Sequence, residues 1–287
     1  MINKLVIIGV GLIGGSFGLA LREGGLVREI AGVGRSLENL SAALGTYVID
    51  SAGQDAAQAV PGADLVLLAV PVGQMGAVMQ AIAPHLDANT VISDVGSTKQ
   101  EVVALARQHL AAHFPRFVPG HPIAGSEFSG VKAARGDLFR ERNVVLTPLS
   151  ETDPTATALL TDLWQRCGAT VSAMAPQQHD ALFAAVSHLP HVLAFALVDY
   201  IASQSNAEQL FDFAASGFRD YTRIAGSSPE MWRDICLANR DALLQQIGGY
   251  EQELARIKAL IEAGDGAGLA QLFGCARDAR RNYLKNT

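Results

Sequence analysis

Cysteine is scarce in this chain. There are three, Cys167, Cys236 and Cys275, far apart and with no CxxC pair among them. That excludes a disulfide framework and a cysteine zinc site, and leaves reduced, partly buried thiols as the expectation. A basic excess is also lacking: 22 Lys and Arg stand against 28 Asp and Glu, for a net charge of -6. A nucleic-acid surface needs the opposite balance, so no such partner is expected. An anionic small molecule is still admissible, because one local Arg outweighs a mildly negative whole. Charged residues make up 17% and hydrophobic ones 49%, a ratio that excludes a disordered chain. The uncharged run Leu5 to Leu21 holds five glycines. It is shorter than the roughly 20 apolar residues of a spanning helix, and no A-x-A site follows it. It reads as a buried strand and a helix, in a cytoplasmic protein with no membrane partner. Repeats, low-complexity tracts and flexible linkers are absent as well.

What is present is length and alternation. A chain of 287 residues exceeds one comfortable core, so two domains are expected. In residues 1–174, short Val-, Ile- and Leu-rich runs recur at Lys4–Val10, Glu29–Gly34, Leu65–Val70, Thr90–Asp94, Val144–Thr147 and Thr170–Met174. Several are apolar at consecutive positions, as strands covered on both faces would be. Helical stretches intervene near Leu12–Glu23, Val72–Ile82 and Lys99–Arg107, and Asp153-Pro154 starts another with Asp at the cap. The alternation predicts a doubly wound, largely parallel sheet. From residue 175 to 287 the strand signal is gone and an all-helical domain is predicted. His188–Ser203 is apolar almost all round after its first turn, so it needs cover on most sides. A small helical domain rarely hides such a helix alone, which points to a helical dimer interface. Ser228-Pro229-Glu230 is another cap-plus-Pro start and puts Trp232 in the first turn.

Gly9-Val10-Gly11-Leu12-Ile13-Gly14 is a GxGxxG element that follows a predicted strand and opens a helix. The first glycine allows the tight turn, the second lets a pyrophosphate approach the backbone, and the third allows helix–strand packing. The N–H groups of Leu12 and Ile13 begin a helix N-terminus, which suits an anion. A Rossmann-like dinucleotide-binding domain is therefore expected. The second strand ends Gly34-Arg35-Ser36, without the Asp or Glu that usually bonds the ribose 2′-OH of NAD. Arg35 is suited to pair with a 2′-phosphate or stack on adenine, and Ser36 to donate to the phosphate. NADP preference, or use of both NADP and NAD, is thus expected. Val70 and Pro71, between a strand and the next helix, complete the candidate cofactor set.

Three further segments carry chemistry-bearing residues: Asp94-Val95-Gly96-Ser97-Thr98-Lys99 at the carboxyl end of a predicted strand, Gly120-His121-Pro122-Ile123-Ala124-Gly125-Ser126-Glu127 in a Gly-rich loop, and Ser187-His188-Leu189-Pro190-His191. Asp220-Tyr221-Thr222-Arg223 and Met231-Trp232-Arg233-Asp234 follow. Taken singly, each has a plainer reading. Thr98 and Glu101 have the spacing of a capping box. His188 and His191 could be core or cap histidines, and Trp232 a packing residue. His109 and His113 are four apart but have no third ligand nearby, so no metal site is assigned.

Taken in order, GxGLIGGS, DVGSTK, GHPIAGSE, SHLPH, and GFRDYTRIA followed by PEMWRDI resemble the prephenate/arogenate (cyclohexadienyl) dehydrogenase family, from the start to roughly residue 250. The resemblance implies a Rossmann-like N-terminal domain, a helical C-terminal dimerisation domain, and NAD(P)-linked oxidative decarboxylation in tyrosine biosynthesis. It implies His121 as the catalytic histidine, Ser97 as its hydroxyl partner and Arg223 as a carboxylate binder. His191 and Trp232 match substrate-pocket positions, with His188, Ser126 and Asp220 beside them. Glu127 matches an acidic position suited to the side-chain ammonium of arogenate. The residue chemistry fits. The ring hydroxyl must lose its proton as hydride leaves, and a histidine is a base of suitable strength. Arg223 can hold a carboxylate bidentately. Two other readings stay open. A β-hydroxyacid dehydrogenase would use a lysine early in its helical domain, and none lies between Lys132 and Lys258. A non-catalytic dinucleotide-sensing dimer would have no use for Ser97, His121 and Arg223 together.

Overall fold

Strands buried on both faces need apolar residues on both. The computed structural model, which describes residues 1–126 and 128–285, places them so. Six parallel strands, β1 (Ile2–Ile8), β2 (Val27–Val33), β3 (Ser51–Gly53), β4 (Leu65–Leu68), β5 (Val91–Asp94) and β6 (Phe117–Val118), form one sheet in the order β3-β2-β1-β4-β5-β6. Alternate residues of β1 feed opposite cores. Leu5 and Ile7 join one cluster with Phe17, Leu21, Phe139 and Trp164, while Val6 and Ile8 join another with Met75, Met79 and Phe117. All four of those β1 residues are buried, each stabilising by about 1.5–3 kcal/mol on the usual area scale.

The last two predicted strands depart from the expectation of one sheet. Asn143–Leu146 (β8) and Thr170–Ala173 (β9) form a separate three-stranded sheet with Gly120–Pro122 (β7), in the order β7-β8-β9. The β7–β8 pair is antiparallel and the β8–β9 pair parallel. Sequence gave no sign of β7, because Gly-His-Pro lacks any β-branched residue. His121 therefore stands on a strand, paired with Val145, and not in a free loop.

The apolar helix predicted from His188 begins earlier. Pro176–Phe183, a π-helical turn at Ala184–His188 and Leu189–Ala202 run on from one another. Pro190 has no N–H to donate to the preceding turn, and the wider π turn lies directly before that helical segment. By length and composition Pro176–Ala202 could cross a membrane, and only 22% of its apolar window is buried within this chain. Ala207–Asp212, Ser216–Thr222 and Pro229–Ala238 follow, the last capped by the Ser228 hydroxyl as expected.

The chain divides into two compact units, 1–240 and 241–287. In the second, the helices Arg240–Glu262 and Gly266–Lys285 are joined at Gly264, whose φ of 65° favours glycine. Leu254, Ile261 and Phe273 are exposed on them.

Candidate active site

The glycine-rich turn fits a dinucleotide by its packing. A Cβ on Gly9 would meet the Ala69 carbonyl oxygen at 2.3 Å, and one on Gly14 would meet the Gly9 carbonyl oxygen at 2.5 Å. Gly11, in contrast, faces open space where a Cβ would be. The outer two glycines are thus demanded by the fold, and the middle one leaves room for a pyrophosphate. The helix Leu12–Glu23 starts at Gly11 with no side-chain cap, so its first N–H groups suit an anion. Val70 and Pro71 follow the Ala69 that Gly9 packs against. Arg35 is exposed at the end of β2. Ser36 accepts a hydrogen bond from the Asn39 N–H at 3.2 Å, and its own proton stays available. A groove of about 240 Å³ runs between Ser36, Glu38 and Asn39 on one side and Gly130 to Lys132 on the other. Lys132 had no sequence signal linking it to this edge.

The proton chemistry is gathered around β7. His121 Nδ1 lies 2.9 Å from His179 Nε2, and His179 Nδ1 lies 2.8 Å from Asp180 Oδ1. Asp180 also accepts the backbone N–H groups of Lys99 and Gln100, both at 2.8 Å. Burial opposes ionisation of Asp180, but the bonds from His179, Gln100 and Lys99 outweigh it and hold its pKa below the usual value. An ionised carboxylate only accepts, so His179 carries its proton on Nδ1 and its Nε2 is an acceptor. His121 must then donate from Nδ1. Its Nε2 is left with a free lone pair, the form a general base needs. Burial, then the neighbouring His179, Lys99 and His188, depress the His121 pKa well below the ordinary value, so the ring is neutral at neutral pH.

Two buried side chains hold His121 in place. Lys99 and Asp94 form an ion pair with both groups fully buried. Lys99 Nζ also donates to the Gly120 carbonyl at 2.6 Å, and Asp94 Oδ1 accepts the Gly120 N–H at 3.1 Å. The residue before His121 is thus clamped at both ends. The expected capping box at Thr98 does not form. Lys99 is the N-cap residue of the helix Gln100–Leu110, the Thr98 hydroxyl is buried without a partner among the described residues, and Asp180 supplies the cap from a distant helix. A carboxylate accepting two N–H groups displaces a single threonine hydroxyl.

The other candidates fall into distinct places. Ser97 is half-buried between Asp94 and Lys99. His188 is fully buried, and Asn239 Nδ2 donates to its Nδ1 at 3.0 Å and to the Asp180 carbonyl at 2.8 Å. Its Nε2 has no well-formed bond, although the Ser97 backbone lies near it. His191 bonds the Ser187 carbonyl through Nδ1 at 2.9 Å and stacks on Trp232, with centroids 3.8 Å apart and planes 20° apart. Burial, opposed by the Ser187 bond and reinforced by the nearby Arg223, lowers the His191 pKa, which places the Arg223 cation by this stack. Arg223 and Asp220 are exposed. The Ser126 hydroxyl is engaged within its own loop, donating to the Phe128 carbonyl at 3.0 Å. Glu127 lies outside the described residues. Lys99, His179, Asp180 and Asn239 were not singled out as functional from sequence. Nothing in Pro176–Phe183, where polar and apolar residues are equal in number, announces that His179 and Asp180 are buried. The larger surface cleft, about 540 Å³ around Leu149, Thr157 and Thr161, holds none of these histidines.

Known proteins share this fold and much of this sequence. Residues 17–173 match the prephenate dehydrogenase nucleotide-binding domain and residues 175–275 the prephenate dehydrogenase dimerization domain. The prephenate dehydrogenase of Bacillus subtilis is 39% identical over 98% of this chain and 76% of its own length. The cyclohexadienyl dehydrogenase of Zymomonas mobilis is 35% identical over 97% of this chain and 95% of its own. The crystal structure of Aquifex aeolicus prephenate dehydrogenase with hydroxyphenyl propionate and NAD+ superposes with a TM-score of 0.92 at 35% identity, covering 99% of each chain. With both domains matched and the relatives similar across nearly the whole length, this chain belongs to the prephenate dehydrogenase family of NAD(P)-dependent oxidoreductases.

Proposed function

We propose that this chain oxidatively decarboxylates prephenate, and accepts arogenate, with His121 as the general base. The observation that carries the reading is the hydrogen-bond order Asp180–His179–His121, which leaves His121 Nε2 unprotonated. Bound nicotinamide supplies the hydride acceptor. His121 Nε2 takes the proton of the ring hydroxyl as hydride leaves the carbon that bears it, and Ser97 bonds the same oxygen and orients it. The carbonyl so formed draws electrons as the ring carboxylate departs as CO₂, and the ring becomes aromatic. Arg223 pairs with a substrate carboxylate, while the His191–Trp232 stack walls the pocket. No metal is required, since hydride transfer and aromatisation drive the reaction.

Residues 1–174 serve as the dinucleotide-binding domain and 175–287 as the substrate and dimerisation domain. NADP is preferred through Arg35 and Ser36, with Lys132 along the adjoining groove. The chain acts as a cytoplasmic homodimer. The weakly buried apolar faces of Pro176–Ala202 and the exposed Leu254, Ile261 and Phe273 are covered by a second copy and not by lipid. The test mixes protein, prephenate and NADP or NAD and follows reduced nicotinamide by absorbance. His121→Asn should lower kcat by about 10²–10⁴, the usual worth of a general base, while cofactor binding persists. Near-normal turnover in that variant removes His121 from the mechanism.

A further inference from the structure

We infer that His179 is a second proton acceptor in the reaction, and that the charge taken up by His121 is passed to a His179–Asp180 ion pair. This rests on His121 being the base. The geometry carries it: two ring-to-ring and ring-to-carboxylate contacts, 2.9 Å and 2.8 Å, connect the three groups in line. As the substrate hydroxyl gives its proton to His121 Nε2, the Nδ1 proton of His121 moves to His179 Nε2. His179 keeps its Nδ1 proton on Asp180. One proton enters the chain and one shifts along it, no bond to carbon is involved, and the positive charge ends on His179. Aromatisation leaves a phenolate on the same oxygen, so the protons then move back: His179 Nε2 returns its proton to His121 Nδ1, His121 Nε2 gives its proton to that oxygen, and the product leaves as the phenol.

The surroundings favour the second location. An imidazolium at His121 faces the Lys99 ammonium and the His188 ring, and among the described residues no carboxylate bonds to it. One at His179 sits against Asp180, with Asp94 also attractive and Lys99 repulsive. Glu101 lies near Asp180, and burial, then Asp234 and Asp180, raise its pKa. His179 and Asp180 are both fully buried, so the pair is little screened. Asp180 cannot turn away, because two helix N–H groups fix it. Positioning alone would need only an acceptor opposite His121 Nδ1, and a buried histidine backed by a carboxylate is more than that.

His179→Gln separates the two roles. A glutamine carbonyl can accept the His121 Nδ1–H and keep the tautomer, but it cannot take a proton. The charge must then stay on His121. We expect kcat to fall more than threefold, with the prephenate KM changed less than threefold. The acidic limb of the kcat/KM profile should move to lower pH, because an isolated buried imidazolium is harder to form. A variant that is merely loosened would admit water to His121 and move that limb to higher pH. A kcat within threefold of wild type, or a limb that stays or moves upward, overturns the inference. The wild type gives a measurement free of folding effects. Rates in mixtures of light and heavy water should curve, as two moving protons require, and a straight dependence overturns the inference. His121→Asn is run alongside. If it still turns over, the base assignment itself is wrong. If it is dead while His179→Gln is normal, only the relay is wrong.

Discussion

Acid should weaken this fold through one histidine in particular. His188 is fully buried, and burial first, then the neighbouring His179 and His191, push its pKa from 6.5 down to about 4 against the opposing pull of Asp180. The hydrogen bonding agrees, since Asn239 donates to Nδ1 and occupies the site where a second proton would go. In the unfolded chain the group titrates normally. A folded pKa below the unfolded one means that the unfolded state binds more protons over the interval between them. The full stability is therefore present above pH 6.5 and is lost as pH falls towards 4. The whole interval corresponds to about 3 kcal/mol at 1.36 kcal/mol per unit. Between about pH 7.5 and 4.5 the linkage relation gives about 2.5 kcal/mol, or a shift of roughly 5–10 °C in Tm for a protein of this size. His188→Gln keeps an acceptor for Asn239 but does not titrate. Urea unfolding of both proteins at the two pH values isolates the effect, because His121, His179 and His191 are common to both. The variant should lose about 2.5 kcal/mol less than wild type on acidification. Parallel losses, within about 0.5 kcal/mol, would refute the reasoning, since His188 would then be free to charge in the folded state.

Two further outcomes bear on ligand recognition. Arg223→Gln should raise the prephenate KM by roughly 10–100-fold, the range of a charge-assisted hydrogen bond worth about 1.5–3 kcal/mol, with a smaller effect on cofactor affinity. Steady-state kinetics check it, and a KM changed less than twofold places Arg223 outside the substrate site. Arg35→Asp should move the NADP/NAD ratio of kcat/KM towards NAD, because the carboxylate repels a 2′-phosphate and accepts from a 2′-OH. An unmoved ratio makes Arg35 a surface residue.

What sequence made legible was local. The GxGxxG turn, the strand runs and the Asp153-Pro154 and Ser228-Pro229 helix starts all depend on neighbours in the chain, and all three kinds of element form. The misses, which include the short strands β3, β6 and β7, share one cause: each depends on a partner distant in the chain. β7 exists because β8 pairs with it, and the second sheet exists because β7 sits there. Asp180 reaches the start of the Gln100–Leu110 helix across about eighty residues, and no window of sequence holds both. His121 could be picked out from the segment around it, but the groups that set its tautomer lie on a distant helix.

That distance has a consequence for how the site is held. Lys99 and Asp94 bury opposite charges, an arrangement that seldom stabilises a fold relative to apolar residues of the same volume. Stability alone does not account for it. Its geometric effect is specific: the pair grips the N–H and C=O of Gly120, and Lys99 gives its own N–H to Asp180. The strand that carries His121 and the helix that carries His179 are thereby tied to the same residue. A shift of either element would stretch a buried charge contact, whose loss costs far more than that of a surface contact. The pair thus spends stability on fixing the distance between two histidines, the distance on which the proposed proton transfer depends.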